Sequence, residues 1–281
     1  MKTLKKYLIS LSVIVMLSEN VVSYAQSSVN LSDIEMVNLG DNQLYAHKRG
    51  NYDSPVTGKI RIMTGVTTEY IDAEFKNGFA AGKWQYFDNN KKTIEMNYLN
   101  GYLDGEYIKY YSGGDVEFKG RYLKGQKHGK WETFKSDGTI KLTEVFANDD
   151  MTKKITYYAD GSVDRERNYK NGKEHGIDKQ YTSEGKLKAE NNYVNGKQVG
   201  AQMKFYASNA GNYIERCNYN AQGKLDGMFT ETFEENGAVK KKGQYKDGRK
   251  VGRWTYGYLS GLYKEEEYKD GKLIETNQLK K

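Results

Sequence analysis

Cysteine, proline and histidine are scarce in this sequence, which contains one, one and three of them in 281 residues. The lone Cys217 excludes an intramolecular disulfide, and its place in an alternating segment indicates a small packing residue. Pro55 is the only residue that cannot donate a backbone hydrogen bond to a neighbouring strand. A continuous ladder of β-strands is therefore compatible with the roughly two hundred residues that follow it.

Long apolar segments are also missing, since the only candidate is the run Tyr7–Leu17. That run is too short to cross a bilayer. Three lysines precede it and small residues follow it, a pattern typical of a secretory signal peptide. We predict a signal peptide at residues 1–25, with cleavage between Ala25 and Gln26 and export to the periplasm or the extracellular space. No cysteine follows the run directly, so we expect no lipid anchor.

Neither sign of charge dominates the composition. The formal net charge is +7 at pH 7, and it falls to +5 without residues 1–25, which hold three lysines and Glu19. We interpret this excess as spread along every part of the chain, not gathered in a tail. A weak attraction to anionic membrane surfaces follows, whereas nucleic-acid binding is not expected.

Glycine is abundant, and pairs of glycines four residues apart return about every 24 residues. The clearest copies are FKNGFAAGKWQYF (75–87), YLKGQKHGKWETF (122–134) and YKDGRKVGRWTY (245–256). The glycines that define the repeats, and that we interpret as structural, are Gly78, Gly82, Gly101, Gly105, Gly125, Gly129, Gly172, Gly176, Gly196, Gly200, Gly223, Gly227, Gly248 and Gly252. A fixed period of this length is typical of an architecture in which each repeat packs only on its neighbours.

Each repeat is predicted to form a β-hairpin, because an aromatic-rich segment follows the second glycine and a turn such as Asp137-Gly138 follows that segment. Between Gly125 and Gly172 a hidden copy at 146–158 carries Asp149 in place of a glycine. Because aspartate also tolerates a left-handed backbone, we predict a hairpin there too.

The hairpins together predict an all-β fold, an elongated open solenoid or sheet with about ten repeats of about 24 residues. The array spans residues 50–281 and follows an N-terminal segment or cap at residues 26–49. Aromatic residues stand two and five places after the second glycine, as Trp131 and Phe134 do. These places have opposite parity, which predicts a bulge or a bend inside the strand.

The recurring aromatic residues are interpreted as the core between adjacent hairpins and not as an exposed binding row. The first position holds Trp84, Tyr107, Trp131, Phe229 and Trp254, and the second holds Phe87, Tyr110, Phe134, Tyr158, Tyr181 and Phe205. Asp178 and Gln202 replace the first aromatic in middle repeats, which indicates that these repeats need it less. If the repeat glycines pack against the next hairpin, Gly129→Val should be costlier than Gly138→Val.

The pattern Tyr-x-Asn-Gly-x-x-x-Gly-x-Trp-x-x-Tyr, followed by an x-Gly turn, resembles the MORN repeat (membrane occupation and recognition nexus) in its bacterial variant form. The resemblance covers residues 44–275, and the segment 44–63, with its Pro-x-x-Gly, is similar to the degenerate first repeat of such arrays. Members of this kind are often labelled antitoxin-like. The resemblance implies a repeat scaffold with no active site.

The residues offer no constellation for catalysis or metal binding. His128 and His175 hold the same place two repeats apart, about 19 Å in a regular stack, whereas zinc ligands lie about 2 Å from one metal. The segment 125–131 has its glycines one residue too close for a phosphate-binding loop. We predict no enzyme activity, no catalytic or metal-binding residues and no cofactor.

Two classes of function fit these observations. The first is a non-enzymatic exported scaffold that binds a protein or an envelope surface through a repeated sheet face. The second is a cell-wall or glycan-binding module that uses exposed aromatic rings. An antitoxin or immunity role is a third alternative, although export argues against a cytosolic target, and association with membrane lipids is a fourth.

Overall fold

The structure, a computed structural model, describes residues 27–65 and 68–279. The predicted signal peptide and its cleavage position at Ala25 and Gln26 lie outside the described residues. Two compact units divide the chain, an N-terminal unit that ends at Asp150 and a C-terminal unit that begins at Met151. In the described residues the only helical element is the 3-10 turn Leu31–Asp33. The prediction of an all-β fold of successive hairpins is confirmed.

The described residues of the N-terminal unit form twelve strands. They are β1 (Ser27–Asn30), β2 (Ile34–Asn38), β3 (Leu44–Lys48), β4 (Asn51–Pro55), β5 (Gly58–Met63), β6 (Tyr70–Lys76), β7 (Phe79–Asp88), β8 (Lys91–Leu99), β9 (Tyr102–Tyr110), β10 (Val116–Leu123), β11 (Gln126–Phe134) and β12 (Ile140–Ala147). From β5 to β12 each strand pairs antiparallel with the next. Before them, β1 lies parallel to β5, and β3 pairs antiparallel with both β2 and β4.

The C-terminal unit continues the same succession. Its strands are β13 (Asp150–Tyr157), β14 (Val163–Lys170), β15 (Lys173–Glu174), β16 (Gly176–Tyr181), β17 (Leu187–Val194), β18 (Lys197–Gln198), β19 (Gly200–Tyr206), β20 (Tyr213–Tyr219), β21 (Gly227–Phe233), β22 (Val239–Lys246), β23 (Arg249–Tyr258), β24 (Gly261–Lys269) and β25 (Lys272–Gln278). The pairs β15/β16 and β18/β19 are each one strand interrupted at a single residue, His175 and Val199. Every successive pairing in this unit is antiparallel.

The hidden copy at 146–158 is built of strands. β12 ends at Ala147 and β13 begins at Asp150, so only Asn148 and Asp149 lie between them. These two residues have φ of 54° and 69°. Asp149 therefore takes the left-handed conformation that glycine takes elsewhere, and both predictions for this segment are confirmed.

Bulges occur where the parity of the aromatic residues predicts them. The pairing register of β7, β11 and β16 shifts immediately before Phe87, Phe134 and Tyr181, the second aromatic of each repeat. The predicted bulge inside this strand is thus confirmed.

The first aromatic position forms the core in both units. Trp84 is 1% exposed and packs with buried residues of β5 to β8, and Trp254 is 0% exposed and packs with Phe229 and Cys217. The rings at the second position are half-buried. The interpretation of the first position as core is confirmed, and so is that of Cys217 as a packing residue.

The first aromatic position is also buried in the middle repeats, where Asp178 and Gln202 replace the ring. Their side chains are only 3% and 4% exposed, which differs from the expectation that these repeats need the position less. Asp178 accepts hydrogen bonds from the guanidinium of Arg165. The Gln202 amide donates to the carbonyls of Val199 and Asn192, at 2.9 and 3.2 Å. The interpretation that these repeats need the position less is wrong, because polar partners replace the ring.

Packing at the repeat glycines also differs from expectation. A β-carbon placed on Gly129 would have no atom within 4 Å, and the same holds for Gly138. Both residues have positive φ, 69° and 81°, so the backbone alone disfavours a side chain at either place. The packing contact expected at Gly129 is therefore absent. Close packing is found instead at the repeat glycines Gly78, Gly82 and Gly101 of the N-terminal unit, and at Gly120 and Gly243 beneath tryptophan rings.

Candidate binding surface at the turn edge of the repeats

The first glycine of each repeat closes a tight turn. Asn77 and Gly78 have φ of 48° and 85°, and the corresponding residues of the other Asn-Gly turns are alike. Two successive positive φ values are typical of a type I′ hairpin turn. We call the surface made by each such turn dipeptide and the residue on either side of it the turn edge. All fourteen glycines that define the repeats have positive φ.

Backbone hydrogen bonds fix several of these turns to the repeat before them. In the N-terminal unit the N–H of Gly101 donates to Ala80 O at 2.8 Å and that of Gly125 to Leu103 O at 2.7 Å. In the C-terminal unit the corresponding donors are Gly196 to Glu174 O, Gly248 to Leu225 O and Gly271 to Lys250 O, at 2.8, 2.7 and 3.0 Å. Residues flanking successive turns are therefore held side by side.

The turn edge of the N-terminal unit is covered by the chain's own N-terminal segment. The N–H groups of Leu44 and Ala46 in β3 donate to the carbonyls of Gly101 and Gly78 at 2.8 and 2.7 Å. Gln43 adds a bond from its amide to Asn100 O at 3.0 Å. Both glycines are buried as a result.

Apolar residues flank these covered turns at three of four places, and Lys76 stands at the fourth. Phe79 follows Gly78 and meets the Tyr45 ring edge-on, with centroids 5.2 Å apart. Tyr102 follows Gly101, and Leu99 precedes that turn. The flanking residues thus suit the strand that lies on them.

The turn edge of the C-terminal unit is exposed and carries cations instead. All eight flanking cations are exposed, as are the turn glycines between them: Lys170, Lys173, Lys197, Lys224, Lys246, Arg249, Lys269 and Lys272. In the part of the chain that the structure describes, none of the eight forms an ion pair. We call this row the basic edge.

Three pairs on the basic edge oppose like charges directly. Lys170 faces Lys173, Lys246 faces Arg249 and Lys269 faces Lys272 across their hairpins. Like charges at opposed positions of an antiparallel pair are destabilising. The fold therefore keeps these like charges close together, and an anionic partner would reduce their repulsion.

Neighbouring cations also line up from one repeat to the next. A β-carbon placed on Gly271 would lie 3.4 Å from Cβ of Arg249, and one on Gly248 would lie 4.0 Å from Cβ of Lys224. Each cation thus stands beside the following turn, and the row is continuous through these repeats.

Two carboxylates, Asp247 and Asp270, lie in the turns of this edge, and two more, Glu174 and Asp226, lie one and two residues beyond it. Asp226 accepts a hydrogen bond from the N–H of Asp247 at 3.1 Å, and the Asp247 carboxylate accepts one from the Asn220 amide at 2.9 Å. These two carboxylates therefore stabilise the turns. The eight cations still outnumber the four acids.

The uneven charge is visible in the sequence when the units are counted separately. Residues 151–281 contain 25 Lys and Arg against 18 Asp and Glu, whereas residues 26–150 contain 16 against 18. The interpretation of an evenly spread positive charge is wrong, since the excess lies entirely in the C-terminal unit. The available signal was the residue after the first glycine, which is cationic in five successive repeats of this unit.

The sheet faces, in contrast, neutralise their own charges. Glu95 is held by Lys83 and Lys92, with N–O distances of 2.7 and 2.8 Å. Burial raises the pKa of Glu95, but hydrogen bonds from Lys83, Lys92 and Gln85 outweigh it and bring the pKa down to about 2. Glu231 is paired with Lys240 and Lys241 in the C-terminal unit. The basic edge differs from these faces in lacking such partners among the described residues.

The residues with chemical potential are dispersed. Within residues 27–65 and 68–279, no group of three His, Cys, Asp or Glu side chains could hold a metal ion. His128 is exposed, whereas the buried Cys217 has its pKa raised to about 11, chiefly by burial. No helix among the same residues is long and apolar enough to cross a membrane.

Two segments of the C-terminal unit decide which known repeat this chain is similar to. The MORN repeat variant matches residues 153–171 and 174–195. These are consecutive repeats, and they contain Lys170 and end beside the turns at Gly172 and Gly196. MORN repeats are generally protein-binding or membrane-binding modules without catalysis. No curated protein matches the chain.

Proposed function

We propose that the chain is a non-enzymatic binding scaffold that holds a protein or an envelope surface along the turn edge of its MORN-like repeats. The observation that carries the proposal is the basic edge, where exposed cations have no ion-pair partner among the described residues and three pairs of like charge face each other. A partner of opposite charge would form favourable electrostatic contacts at each of these places. Each exposed contact is weak, and a repeated row supplies many of them together.

Binding by a row predicts a graded response to shortening. Removal of residues 172–195 deletes one repeat and joins Asn171 to Gly196, which restores an Asn-Gly turn. We expect this chain to remain folded and to bind the envelope fraction of the producing organism more weakly than the full mature chain, with no effect of a metal chelator. Co-sedimentation measures the binding, and circular dichroism checks the fold. Undiminished binding by the shortened chain would contradict a distributed surface.

The proposal also places the chain outside the cytoplasm, in the periplasm or the extracellular medium. Its support is the lysine-rich start, the short apolar run and the small residues that end at Ala25. Expression of the full sequence in a secreting bacterium tests it, followed by mass spectrometry of the product. We expect a mature chain that starts at Gln26. A product that retains Met1 and stays with the membrane would count against export.

A glycan ligand is the second candidate, and one observation favours it. Tyr258 is 57% exposed and stacks on Tyr263, with ring centroids 4.4 Å apart. An exposed, braced ring offers a flat apolar surface of the kind on which sugars stack. On a glycan array, binding that is lost in Tyr258→Ala and kept in Lys246→Gln/Arg249→Gln would favour this candidate over the basic edge.

A further inference from the structure

The covered turn edge of the N-terminal unit shows how an extended chain can lie across these turns. Leu44 and Ala46 are alternate residues of β3, so their N–H groups point the same way, and each reaches the glycine carbonyl of a successive turn. The segment continues past a third turn, since a β-carbon on Gly125 would lie 3.7 Å from Asp41 O. Strand β3 thus spans two consecutive turns, and the tight turn at Asp41 and Asn42 that precedes it lies beside the third.

The C-terminal unit has similar turns, and no such segment lies on them in the part of the chain that the structure describes. Its turn glycines, among them Gly196, Gly248 and Gly271, are exposed. Among the described residues, no backbone N–H donates to the carbonyls of these three glycines. Their N–H groups are bonded to the preceding repeat, as in the covered unit. The acceptors that β3 uses in one unit are therefore open in the other.

The side chains beside the turns indicate what would fit there. Phe79 follows the covered turn at Gly78 and packs on Tyr45 of the covering strand. In the C-terminal unit, Lys224 follows the first glycine of its repeat as Phe79 does, and it lies beside the turn at Gly248. Arg249 holds the same position one repeat later and lies beside the turn at Gly271. A segment that used the carbonyls would place its side chains against cations, and carboxylates complement them.

We propose that the basic edge binds an extended acidic polypeptide segment of a partner protein. Alternate backbone N–H groups of that segment donate to the turn glycine carbonyls, and its Asp and Glu side chains pair with the flanking lysines and Arg249. This inference rests on the proposed scaffold function and names the class of partner. It is a form of backbone recognition in which main-chain bonds give affinity and side chains give specificity.

An anionic membrane fits this edge less well. The row is one turn wide, and Asp226, Asp247 and Asp270 lie on or beside the same edge, where a broad anionic plane would meet like charge. Lipid phosphates also lack the N–H donors that the glycine carbonyls accept. A polypeptide supplies both the donors and a narrow line of carboxylates.

The test uses the mature chain and a labelled peptide of alternating glutamate and threonine, with fluorescence anisotropy at low salt as the measurement. The variant Lys246→Gln/Arg249→Gln removes one facing pair of the basic edge. Lys186→Gln/Lys188→Gln is the matched control, because both lysines are exposed and lie away from the edge. We expect about fivefold weaker binding for the first variant and no change for the control, since each exposed ion pair contributes little. Added salt should weaken binding to the wild type.

A loss of stability is not expected to explain weaker binding by Lys246→Gln/Arg249→Gln, because this variant removes opposed like charges. Its Tm should equal or exceed that of the wild type. A polyacrylate of equal charge separates charge from backbone recognition. It should bind several-fold more weakly than the peptide, and equal binding would overturn the backbone contacts. Equal losses in the two double variants would overturn the site.

Two further measurements are binding to anionic vesicles and the co-sedimentation assay with the envelope fraction. Vesicle binding that depends on Lys246 and Arg249, with no peptide binding, would overturn the acidic segment in favour of a membrane. If peptide binding fails while the graded envelope binding persists, only this inference falls. If both fail, the proposed scaffold function falls with it.

Discussion

Gly120 lies against the indole of Trp131 so closely that a β-carbon on Gly120 would meet Cδ2 of the ring at 2.1 Å. Gly243 and Trp254 repeat the relationship in the C-terminal unit, at 2.2 Å. In both places the strand register shifts around the glycine. The missing side chain makes the room in which the tryptophan is buried.

Substitution at this contact should be costly without any change of charge or polarity. We expect Gly120→Ala to lower the free energy of unfolding by about 2 to 3 kcal/mol, because the ring must move from a packed site. Urea denaturation measures the difference. Gly113→Ala is the control, since Gly113 is exposed and a β-carbon there would be 3.6 Å from the nearest side-chain atom. Equal losses in the two variants would show that the ring adapts freely.

The buried pair Arg165 and Asp178 should depend on both partners. Asp178→Ala leaves the guanidinium without its carboxylate, and we expect a loss of about 3 kcal/mol in the free energy of unfolding. Replacing the pair together, as Arg165→Met/Asp178→Leu, should recover most of that loss, because no uncompensated charge remains. A double-mutant cycle from denaturation midpoints measures the coupling. A double variant as unstable as Asp178→Ala would refute the ion-pair explanation.

Acid should weaken the fold partly through Glu95. Its pKa is about 2 in the folded chain against an ordinary value of 4.5. The stabilisation is therefore complete above pH 4.5 and is lost as the pH falls towards 2. We expect Glu95→Gln to cost about 2 kcal/mol at neutral pH and almost nothing at pH 2. Thermal melts across this range test it, with the exposed Glu235→Gln as a control that should be flat.

Cys217 should resist alkylation while the chain is folded. Burial raises its pKa to about 11, and the reactive form of cysteine is the thiolate. We expect iodoacetamide to label Cys217 at mildly alkaline pH only after denaturant is added, as judged by intact mass. Rapid labelling of the folded chain would show that the thiol is accessible, against its packing with Phe229 and Trp254.

Local signals explain why so much of the fold could be predicted from sequence. Asn-Gly turns and strand alternation act within one hairpin, and the parity of Trp131 and Phe134 is enough to indicate a bulge. The covering of Gly78 and Gly101 by β3 joins residues far apart in sequence and has no local signature. The contact of Gly120 with Trp131 lies within one hairpin, but it depends on the register shift between β10 and β11, which the repeat pattern does not indicate.

The candidate site was not predicted from the sequence for a different reason. The cations of the basic edge are plain in the sequence, but a net charge averaged over the chain conceals them. Their meaning depends on the ladder that brings Lys224, Arg249 and Lys272 beside successive turns. For Asp178 and Gln202, composition indicated a weaker core, whereas burial depends on partners supplied by neighbouring strands.

The bonding of turns to the preceding repeat also has a genetic consequence. An unequal crossover that joins Asn100 to Gly125 would excise one whole hairpin and leave an Asn-Gly junction whose glycine N–H could meet the preceding repeat. A duplication at the same dipeptide would insert a hairpin equally cleanly. The number of repeats can therefore change while the same residues of each remaining hairpin stay on each sheet face. Because the flanking cations lie within two residues of the junction, lineages would gain or lose them hairpin by hairpin.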